Sequence, residues 1–252
     1  MSMRIDGVDR HVTVIIRCLN EEEPIADAVR EVLAENVDRV IVVDNGSTDA
    51  TAVRARDAGA LVVSEPRRGY GRACAAGFAA VGPHADIVCF LDGDGSDVPR
   101  FIPDVVRPIA ANKADFVMGS RIRGTREGGS MTPQQLVAGH IAGWLLRLFY
   151  RVRFTDMSPF RAMTARTLAG LGMTEMTYGW NLEMQMRAAA AGLRIVEIPV
   201  DHRCRRGGVS KVSGRLIAGL IAAWKISATF VRLILSLRTQ RRSGGEMEKA
   251  SP

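Results

Sequence analysis

Short apolar runs alternate with helical segments through the first half of the chain. Continuous runs rich in β-branched residues at 12–16 and 40–43, and less strict runs at 61–63 and 87–91, are typical of strands buried on both faces. Between the first two runs, apolar residues recur at helical spacing after Pro24, a residue favoured in the first turn of a helix. The alternation predicts an α/β fold, in which helices flank a mainly parallel sheet.

The remaining segments extend this pattern. Helices are predicted at 48–58, 72–81, 99–111, 133–151 and 180–191. The second half is less regular, with a Gly- and Arg-rich loop predicted at 119–129, an irregular polar segment at 155–162, and a strand at 193–200 before a basic loop. Ligands of parallel α/β sheets bind beyond the carboxyl ends of the strands, so the polar residues that follow each strand are the candidates for function.

Length and hydrophobic content favour a single folded domain. With 252 residues, of which 47% are hydrophobic, the chain can bury a full core. We assign residues 1–215 to the α/β domain and 216–238 to an amphipathic C-terminal helix. Residues 239–252 have the composition of a disordered tail.

The predicted C-terminal helix is apolar apart from one narrow stripe of Lys225, Thr229, Arg232 and Ser236. Carrying two cations through hydrocarbon is costly, which favours a helix lying in a membrane interface. Packing against the protein's own core or against a second subunit is the alternative, so a homo-oligomer stays open. The first residues lack the apolar core of a secretory signal, so we expect a cytoplasmic protein, peripheral on the inner face of the membrane.

The charge of the chain points to an anionic partner. Its formal net charge is +7 and its pI is about 9.7, which suits phosphorylated metabolites, an acidic membrane surface or nucleic acid. Aromatic residues make up only 6%, too few for a base-stacking array, so nucleic acid is disfavoured. The four cysteines have no CxxC spacing and the four histidines have no ligand spacing, which disfavours a Cys- or His-based metal site.

An acidic motif follows the predicted strand at 87–91. Asp92, Asp94 and Asp97 lie within six residues, separated by glycines and a serine. Carboxylates at alternate positions can share one Mg²⁺ or Mn²⁺ and leave coordination positions open for a substrate diphosphate. The same Asp, Gly and Ser residues are also typical of a turn that binds no ligand.

Two more polar loops follow predicted strands. Asp44 begins the sequence DNGSTD, which suits both a carboxylate site and a capped helix start. The third loop, EPRRGYGR, contains Gly69 and offers guanidinium groups before a helix, as a phosphate site does. Three such loops after three consecutive strands are stronger evidence for a nucleotide site than any one of them.

The motifs also occur in a familiar order along the chain. They are CLNEEEPI, VVDNGSTDAT, RGYGRACAAGF, FLDGDGSDVP, VMGSR, TDMSPFRAM, YGWNLEMQ and RRGGVSK. Together they resemble family 2 glycosyltransferases with the GT-A fold, and within that family the dolichyl- or polyprenyl-phosphate sugar synthases. The resemblance covers about residues 12–215 and is more specific for fold and donor class than for the acceptor.

The resemblance implies roles for residues on the donor side. Asp44 is expected to contact the nucleotide base or ribose, with Glu21 nearby, and Gly69 to border the nucleotide. Asp92 and Asp94 are expected to hold the metal and the diphosphate, Asp94 most directly. The first motif departs from the usual P-x-Y-N-E, because Arg17 and Leu19 replace the proline and the aromatic residue. The donor is therefore either UDP-glucose-like or GDP-mannose.

The resemblance also implies cationic residues around the acceptor phosphate and the leaving diphosphate. The cations are Arg121, Arg205 and Lys211, and Ser210 adds a hydroxyl to the same group. Fixed cations would offset the repulsion between two phosphorylated substrates, although a basic loop is often only a solvated turn.

The implied reaction is a single displacement that inverts the anomeric carbon. A hydroxyl acceptor would need a carboxylate base, whereas a phosphate acceptor is already ionised. Asp156 and Glu183 are the candidate bases; a loop brace or an arginine pair explains them equally well. A soluble hydroxyl acceptor and a non-catalytic sugar-nucleotide-binding protein remain alternatives to transfer onto a polyprenyl phosphate.

Overall fold

The computed structural model describes residues 3–207 and 230–234. In this part of the chain the strands are β1 (Met3–Ile5), β2 (Val8–Arg10), β3 (Val12–Cys18), β4 (Arg39–Asp44), β5 (Leu61–Ser64), β6 (Ile87–Asp92), β7 (Phe116–Ser120), β8 (Arg161–Thr164) and β9 (Ile195–Pro199). The helices are α1 (Ile25–Ala34), α2 (Thr51–Asp57), α3 (Tyr70–Ala79), α4 (Ile102–Ala110), α5 (Pro133–Tyr150), α6 (Ala165–Gly170) and α7 (Trp180–Ala190), with a 3₁₀ turn at Pro99–Phe101 before α4.

Seven strands form the central sheet, in the order β5-β4-β3-β6-β8-β7-β9. The pairs β3–β4, β3–β6, β4–β5 and β7–β9 are parallel, while β8 runs antiparallel to both β6 and β7. The predicted α/β fold with a mainly parallel sheet is confirmed.

Helices cover both faces of this sheet. Along β3, Val14 and Ile16 belong to one core cluster and Ile15 to the other, because successive strand side chains point to opposite faces. The first cluster includes residues of α1 and α4, and the second includes residues of α3, α5 and α7. Burial on both faces explains why these strands appear in the sequence as uninterrupted apolar runs.

Two sequence assignments in the second half were wrong at their edges. The polar segment predicted at 155–162 overlaps β8, which begins at Arg161, and the loop predicted from Gly119 begins inside β7. Arg161 is only 1% exposed, and its guanidinium donates to the carbonyls of Ser158 and Asn181. Since β8 has four residues and starts with a charged one, its sequence lacks the apolar run of a buried strand.

The N-terminal hairpin of β1 and β2 was not predicted. Its turn, Asp6-Gly7, has φ of 48° and 84°, the positive values that a two-residue hairpin turn requires. Met3 and Ile5 are buried in the same core cluster as α1 and α4. The Asp-Gly pair was the available sequence signal.

Most of the predicted C-terminal helix and all of 239–252 lie outside the described residues, so the boundaries at 215 and 238 stay predictions. Residues 230–234 are helical, and Phe230 packs edge-on against Phe149 of α5, with 5.7 Å between ring centroids. Arg232 of the predicted polar stripe pairs with Glu175. Within 3–207 and 230–234, no helix is long and apolar enough to cross a membrane.

Candidate active site

The site lies where the parallel strands β3, β4 and β6 end. A cavity of about 610 Å³ opens there. Its polar lining comes from Arg17, Glu21, Asn45, Arg68, Asp92, Arg121, Gln135, Asp156, Thr177 and Asn181, together with Tyr70 and Tyr178. The prediction that the function-bearing loops meet beyond the carboxyl ends of the strands is therefore supported by the geometry.

The acidic motif forms a tight loop at the end of β6. Asp92 is the last residue of the strand, and its Oδ1 atom is buried without a hydrogen-bond partner. Asp94 accepts hydrogen bonds at Oδ1 from the backbone N–H and hydroxyl of Ser96, at 3.0 and 2.6 Å. Burial opposes ionisation of Asp94, but the bonds from Ser96 and the charge of Arg205 lower its pKa overall.

This pair of carboxylates fits a hard divalent cation. Asp92 contributes an unsatisfied buried oxygen, and Asp94 keeps a side chain that is 21% exposed. Among residues 3–207 and 230–234, no cluster of three or more Asp, Glu, His or Cys residues surrounds a common metal position. A metal on two carboxylates would keep several open positions, as a substrate-bridging Mg²⁺ or Mn²⁺ does.

Asp97, the third carboxylate of the motif, faces inward. It is 4% exposed, and its Oδ2 atom accepts the backbone N–H of Asp92 at 2.9 Å. Burial and the nearby charge of Asp92 raise the pKa of Asp97 to about 8. Asp97 therefore braces the loop by accepting the backbone N–H of Asp92.

His202 lies behind the same loop. Its backbone forms a β-bridge with Asp97, and its Nδ1 atom is 3.9 Å from Asp97 Oδ1. Burial lowers the pKa of His202 to about 4, which keeps the imidazole neutral at pH 7. His202 and the acidic motif are more than a hundred residues apart in the chain, so no local sequence pattern indicates that they are neighbours in the fold.

Arg17 occupies the gap beside Asp92. Its Nη2 atom donates to Asp92 Oδ2 at 2.6 Å, and its guanidinium carbon lies 4.0 Å from the centre of the Tyr70 ring. Burial disfavours the cation, but the charge of Asp92 raises the pKa of Arg17 overall. Arg17 stands where the usual motif has proline, so the departure from the family pattern places a cation beside the candidate metal ligand Asp92.

Glu21 and Arg205 bring the basic loop to the acidic one. Arg205 Nη2 lies 2.8 Å from Glu21 Oε1 and 3.8 Å from Asp94 Oδ2. The backbone N–H groups of Arg203 and Arg206 donate to the carbonyls of Ser96 and Asp94. These backbone bonds fix the loop at 201–206 alongside the motif. Ser210 and Lys211 lie outside the described residues.

Arg121 and Asp156 form a bidentate pair on the cavity wall. Two guanidinium nitrogens of Arg121 donate to the two carboxylate oxygens, each at 2.8 Å, and the Arg121 backbone N–H adds a bond of 3.0 Å. Although burial opposes ionisation of Asp156, the contacts with Arg121 lower its pKa overall. The candidate base Asp156 is therefore the counter-ion of the candidate phosphate ligand.

Glu183, the second candidate base, does not line the cavity. Its side chain is fully buried, pairs with Arg187 at 2.9 Å, and accepts the backbone N–H groups of Thr174 and Glu175. The arginine-pair interpretation of Glu183 is the one that the geometry supports.

The donor-side loops place Asn45 and Gly69, but not Asp44, in the cavity lining, and the predicted contact of Asp44 with the nucleotide stays a prediction. Asp44 does not line the cavity, and its Oδ1 atom accepts the Ser47 N–H, while the adjacent Asn45 faces the cavity. Gly69 borders the cavity, but two N–H groups in the first turn of α3, those of Gly71 and Arg72, donate to the carbonyls of Thr177 and Met176. This helix start is therefore occupied by backbone rather than open to a phosphate.

The close approach at α3 explains one glycine of the motif. A Cβ atom at Gly71 would lie 2.1 Å from the carbonyl oxygen of Glu175. Sequence reasoning could not separate this packing role from phosphate binding, because both require glycine. Arg17, Asn45, Tyr70 and His202 were also missed as site residues, and only Arg17 had a signal, its departure from the family motif.

Comparison with known proteins decides the family. Residues 13–170 match the family model described as "Glycosyl transferase family 2". The chain is a family 2 glycosyltransferase. Its helix-flanked, mainly parallel sheet is the GT-A fold of that family, as the motifs implied.

Relatives with several different activities resemble this glycosyltransferase. An "uncharacterized glycosyltransferase" of Mycobacterium tuberculosis is 40% identical over 224 residues, covering 85% of this chain and 97% of the relative. An "undecaprenyl-phosphate mannosyltransferase" of Micrococcus luteus is 30% identical over 239 residues, covering 85% of this chain and 96% of the relative.

Solved structures of the same architecture include complexes of a glucosyl-3-phosphoglycerate synthase. Glucosyl-3-phosphoglycerate synthase from Mycobacterium tuberculosis, in complex with Mg²⁺ and UDP, matches with a TM-score of 0.67 and 25% identity, covering 89% of this chain and 79% of that chain. The same enzyme in complex with Mn²⁺, UDP and phosphoglyceric acid has a TM-score of 0.68 and 24% identity, covering 89% and 78%.

Proposed function

We propose that this glycosyltransferase transfers a hexose from a UDP-sugar or GDP-mannose to the phosphate of a polyprenyl phosphate, at the cytoplasmic face of a membrane. The observation that supports a phosphorylated acceptor is the pairing of the carboxylates that line the cavity. Three carboxylates line it, and each pairs with an arginine. The pairs are Asp92 with Arg17, Glu21 with Arg205, and Asp156 with Arg121.

An arginine-paired carboxylate is a poor general base. At Asp156 the contacts with Arg121 outweigh burial and lower the pKa, whereas at Asp92 burial raises the pKa despite Arg17, and that carboxylate is assigned to the metal instead. A hydroxyl acceptor needs such a base, whereas a phosphate attacks in its ionised form. The cavity therefore suits an acceptor that arrives already deprotonated.

The proposed step is one displacement. A phosphate oxygen of the acceptor forms a bond to the anomeric carbon, the bond from that carbon to the donor diphosphate breaks, and the nucleoside diphosphate leaves with the electron pair. The configuration at the anomeric carbon inverts. Arg121 and Arg68 line the cavity and supply positive charge beside the phosphates, while Arg205 lies next to Asp94.

A divalent cation completes the proposed donor site. Asp92 and Asp94 would hold it, and when bound it would neutralise charge on the leaving diphosphate. The complexes of glucosyl-3-phosphoglycerate synthase with Mn²⁺ or Mg²⁺ and UDP support this assignment.

Two acceptor chemistries remain in competition. The Micrococcus luteus relative, an undecaprenyl-phosphate mannosyltransferase, supports a lipid phosphate. The apolar lining by Ala138, Met157 and Pro159 suits the first carbons of a lipid. The second candidate is a small phosphorylated acid, which the phosphoglycerate enzymes favour. Both candidates carry a phosphate, but phosphoglycerate also carries a free hydroxyl, and transfer to that hydroxyl would need a general base that the arginine-paired carboxylates do not supply.

A transfer assay with two donors and three acceptors tests the proposal. Purified full-length protein with Mn²⁺ and either UDP-glucose or GDP-mannose is given undecaprenyl phosphate, undecaprenol or 3-phosphoglycerate. Product from undecaprenyl phosphate but not from undecaprenol is expected, because the alcohol lacks the ionised nucleophile. Transfer only to 3-phosphoglycerate would establish the second candidate. Equal transfer to undecaprenol would contradict the phosphate requirement, and nucleotide binding without any transfer would indicate a binding protein.

A further inference from the structure

Helix α5 connects the cavity to an apolar surface on the outside of the molecule. The helix begins with a capping box, in which Thr132 and Gln135 each accept the other's backbone N–H. On its inner side, Ala142 and Leu146 are buried in the core cluster that includes α7. Its 18 residues give a rod about 27 Å long.

The outer α5 face, formed by Val137, Ile141, Trp144 and Leu148, is apolar and open. These side chains are 57%, 54%, 63% and 59% exposed, respectively. Their spacing of four, three and four residues aligns them as one stripe. A helix that is apolar on both sides is normally covered on both sides, and exposed apolar patches of this kind mark interaction sites.

The residues beside this face are basic, which favours an anionic partner. Residues 128–155 contain no Asp or Glu. They do contain Arg147, Arg151 and Arg153, all of which are exposed. A basic margin beside an apolar stripe that carries a tryptophan is the composition of a helix lying on anionic lipid.

We propose that the outer α5 face docks on an anionic lipid surface. The proposal rests on the proposed function and specifies which element brings the cavity to the membrane. Gln135, Ala138 and Gly139 of the same helix line the cavity, so lipid seated on the outer face lies about one helix diameter, ~10 Å, from the place where the acceptor phosphate binds.

A second copy of the chain fits this face less well. In a two-fold dimer the same patch would meet itself, since such interfaces are isologous. Such a dimer would bring the arginines of residues 128–155 in one copy toward those of the other. Because this stretch contains no acidic residue, it has no carboxylate of its own to pair with them. Anionic headgroups supply the missing negative charge.

Vesicle sedimentation of the full-length protein tests the docking. Wild-type protein is mixed with phosphatidylcholine vesicles, with and without phosphatidylglycerol, at low and high salt and without substrates. Binding is expected to need phosphatidylglycerol and to weaken in salt. The double variant Trp144→Ser/Leu148→Ser should partition roughly tenfold or more weakly, because two large apolar side chains lose their burial.

Matched variants separate the contributions. Val53→Ser changes a similarly exposed valine, 54% accessible, on α2 and should bind vesicles like the wild type. Arg147→Gln/Arg153→Gln should lose the preference for phosphatidylglycerol. Undiminished vesicle binding by Trp144→Ser/Leu148→Ser would overturn the proposal, as would a wild-type dimer that this variant converts to monomers.

Failure of the docking and failure of the proposed function are distinguishable. Transfer to undecaprenyl phosphate in detergent, where no bilayer is present, is measured with the same preparations. Transfer in detergent without vesicle binding by the wild type would overturn the docking alone. Phosphatidylglycerol-dependent binding that Trp144→Ser/Leu148→Ser abolishes, without transfer in detergent, would support the docking and contradict the proposed acceptor.

Discussion

Arg17 and Asp92 are register partners on the neighbouring parallel strands β3 and β6, and Nη2 of Arg17 donates a hydrogen bond of 2.6 Å to Oδ2 of Asp92. The cation is thus carried by the strand next to the acidic motif. One oxygen of this candidate metal ligand, Oδ2, is thus engaged by a guanidinium. A divalent cation entering the site must share Asp92 with a guanidinium or displace it.

Removing this cation should tighten metal binding. Arg17→Ala is expected to bind Mn²⁺ on the order of tenfold more tightly, because a positive charge adjacent to the site no longer repels the metal. Electron paramagnetic resonance of free Mn²⁺, without substrate, measures the affinity. Arg17→Lys keeps the charge and is the control. Weaker Mn²⁺ binding by Arg17→Ala would show that Arg17 supports the site rather than competes with the metal.

Asp94→Asn should separate metal binding from folding. Asparagine keeps the Oδ1 acceptor for Ser96 but is a poor ligand for a hard cation, so a loss of transfer of roughly a hundredfold or more and a loss of Mn²⁺ affinity are expected. Asp49→Asn is a matched control, because Asp49 Oδ1 accepts from the N–H and hydroxyl of Thr51 in the same way. Similar losses of transfer in both variants would assign the effect to the turn.

The pair of Arg121 and Asp156 should contribute strongly to stability. Their side chains are 11% and 2% exposed, so Asp156→Ala would leave a buried guanidinium uncompensated and should lower the free energy of unfolding by about 3–5 kcal/mol. Urea unfolding measures the change. Asp27→Ala breaks an exposed pair with Arg30, 61% and 64% accessible, and should cost only a few tenths of a kcal/mol, about 0.5 at most. Equal costs would mean that water reaches the cavity pair freely.

His202 should make the protein less stable in mild acid. The unfolded chain binds a proton on this histidine below pH 6.5, whereas the folded protein, with the pKa of His202 near 4, does not. The free energy of unfolding therefore falls as the pH drops from 6.5 to 4, by up to roughly 3 kcal/mol from this residue.

Urea unfolding in EDTA at pH 7 and pH 4.5, compared between wild type and His202→Gln, isolates this contribution. The variant should lose less stability than the wild type between the two pH values. His84→Gln, at an exposed position, should follow the wild type. A wild-type pH profile in His202→Gln would mean that the imidazole is solvated in the folded protein.

The sequence predicted those features that arise from local pattern. The apolar runs of β3, β4 and β6 and the polar residues behind them located the sheet and its functional edge, because a strand buried on both faces requires such a run. It did not predict β8, whose first residue, Arg161, is a buried cation that donates to the nearby carbonyl of Ser158 and to that of Asn181, 20 residues away.

The pairing of the site's charges was equally inaccessible to sequence pattern. Arg205 meets Glu21 across 184 positions, and Arg121 meets Asp156 across 35. Nothing local distinguishes a carboxylate that binds metal from one that holds an arginine. Those contacts depend on how strands from opposite ends of the chain are ordered in the sheet.

The backbone bonds from the loop at 201–206 to the acidic motif have a consequence during synthesis. Strands β3 to β6 are contiguous in the chain and adjacent in the sheet, so they can pair while the ribosome is still translating the second half. The acidic motif gains the partners that Arg203 and Arg206 provide only after residue 206 has emerged. A nascent chain would therefore possess the strands that carry the candidate site well before the candidate site itself was complete.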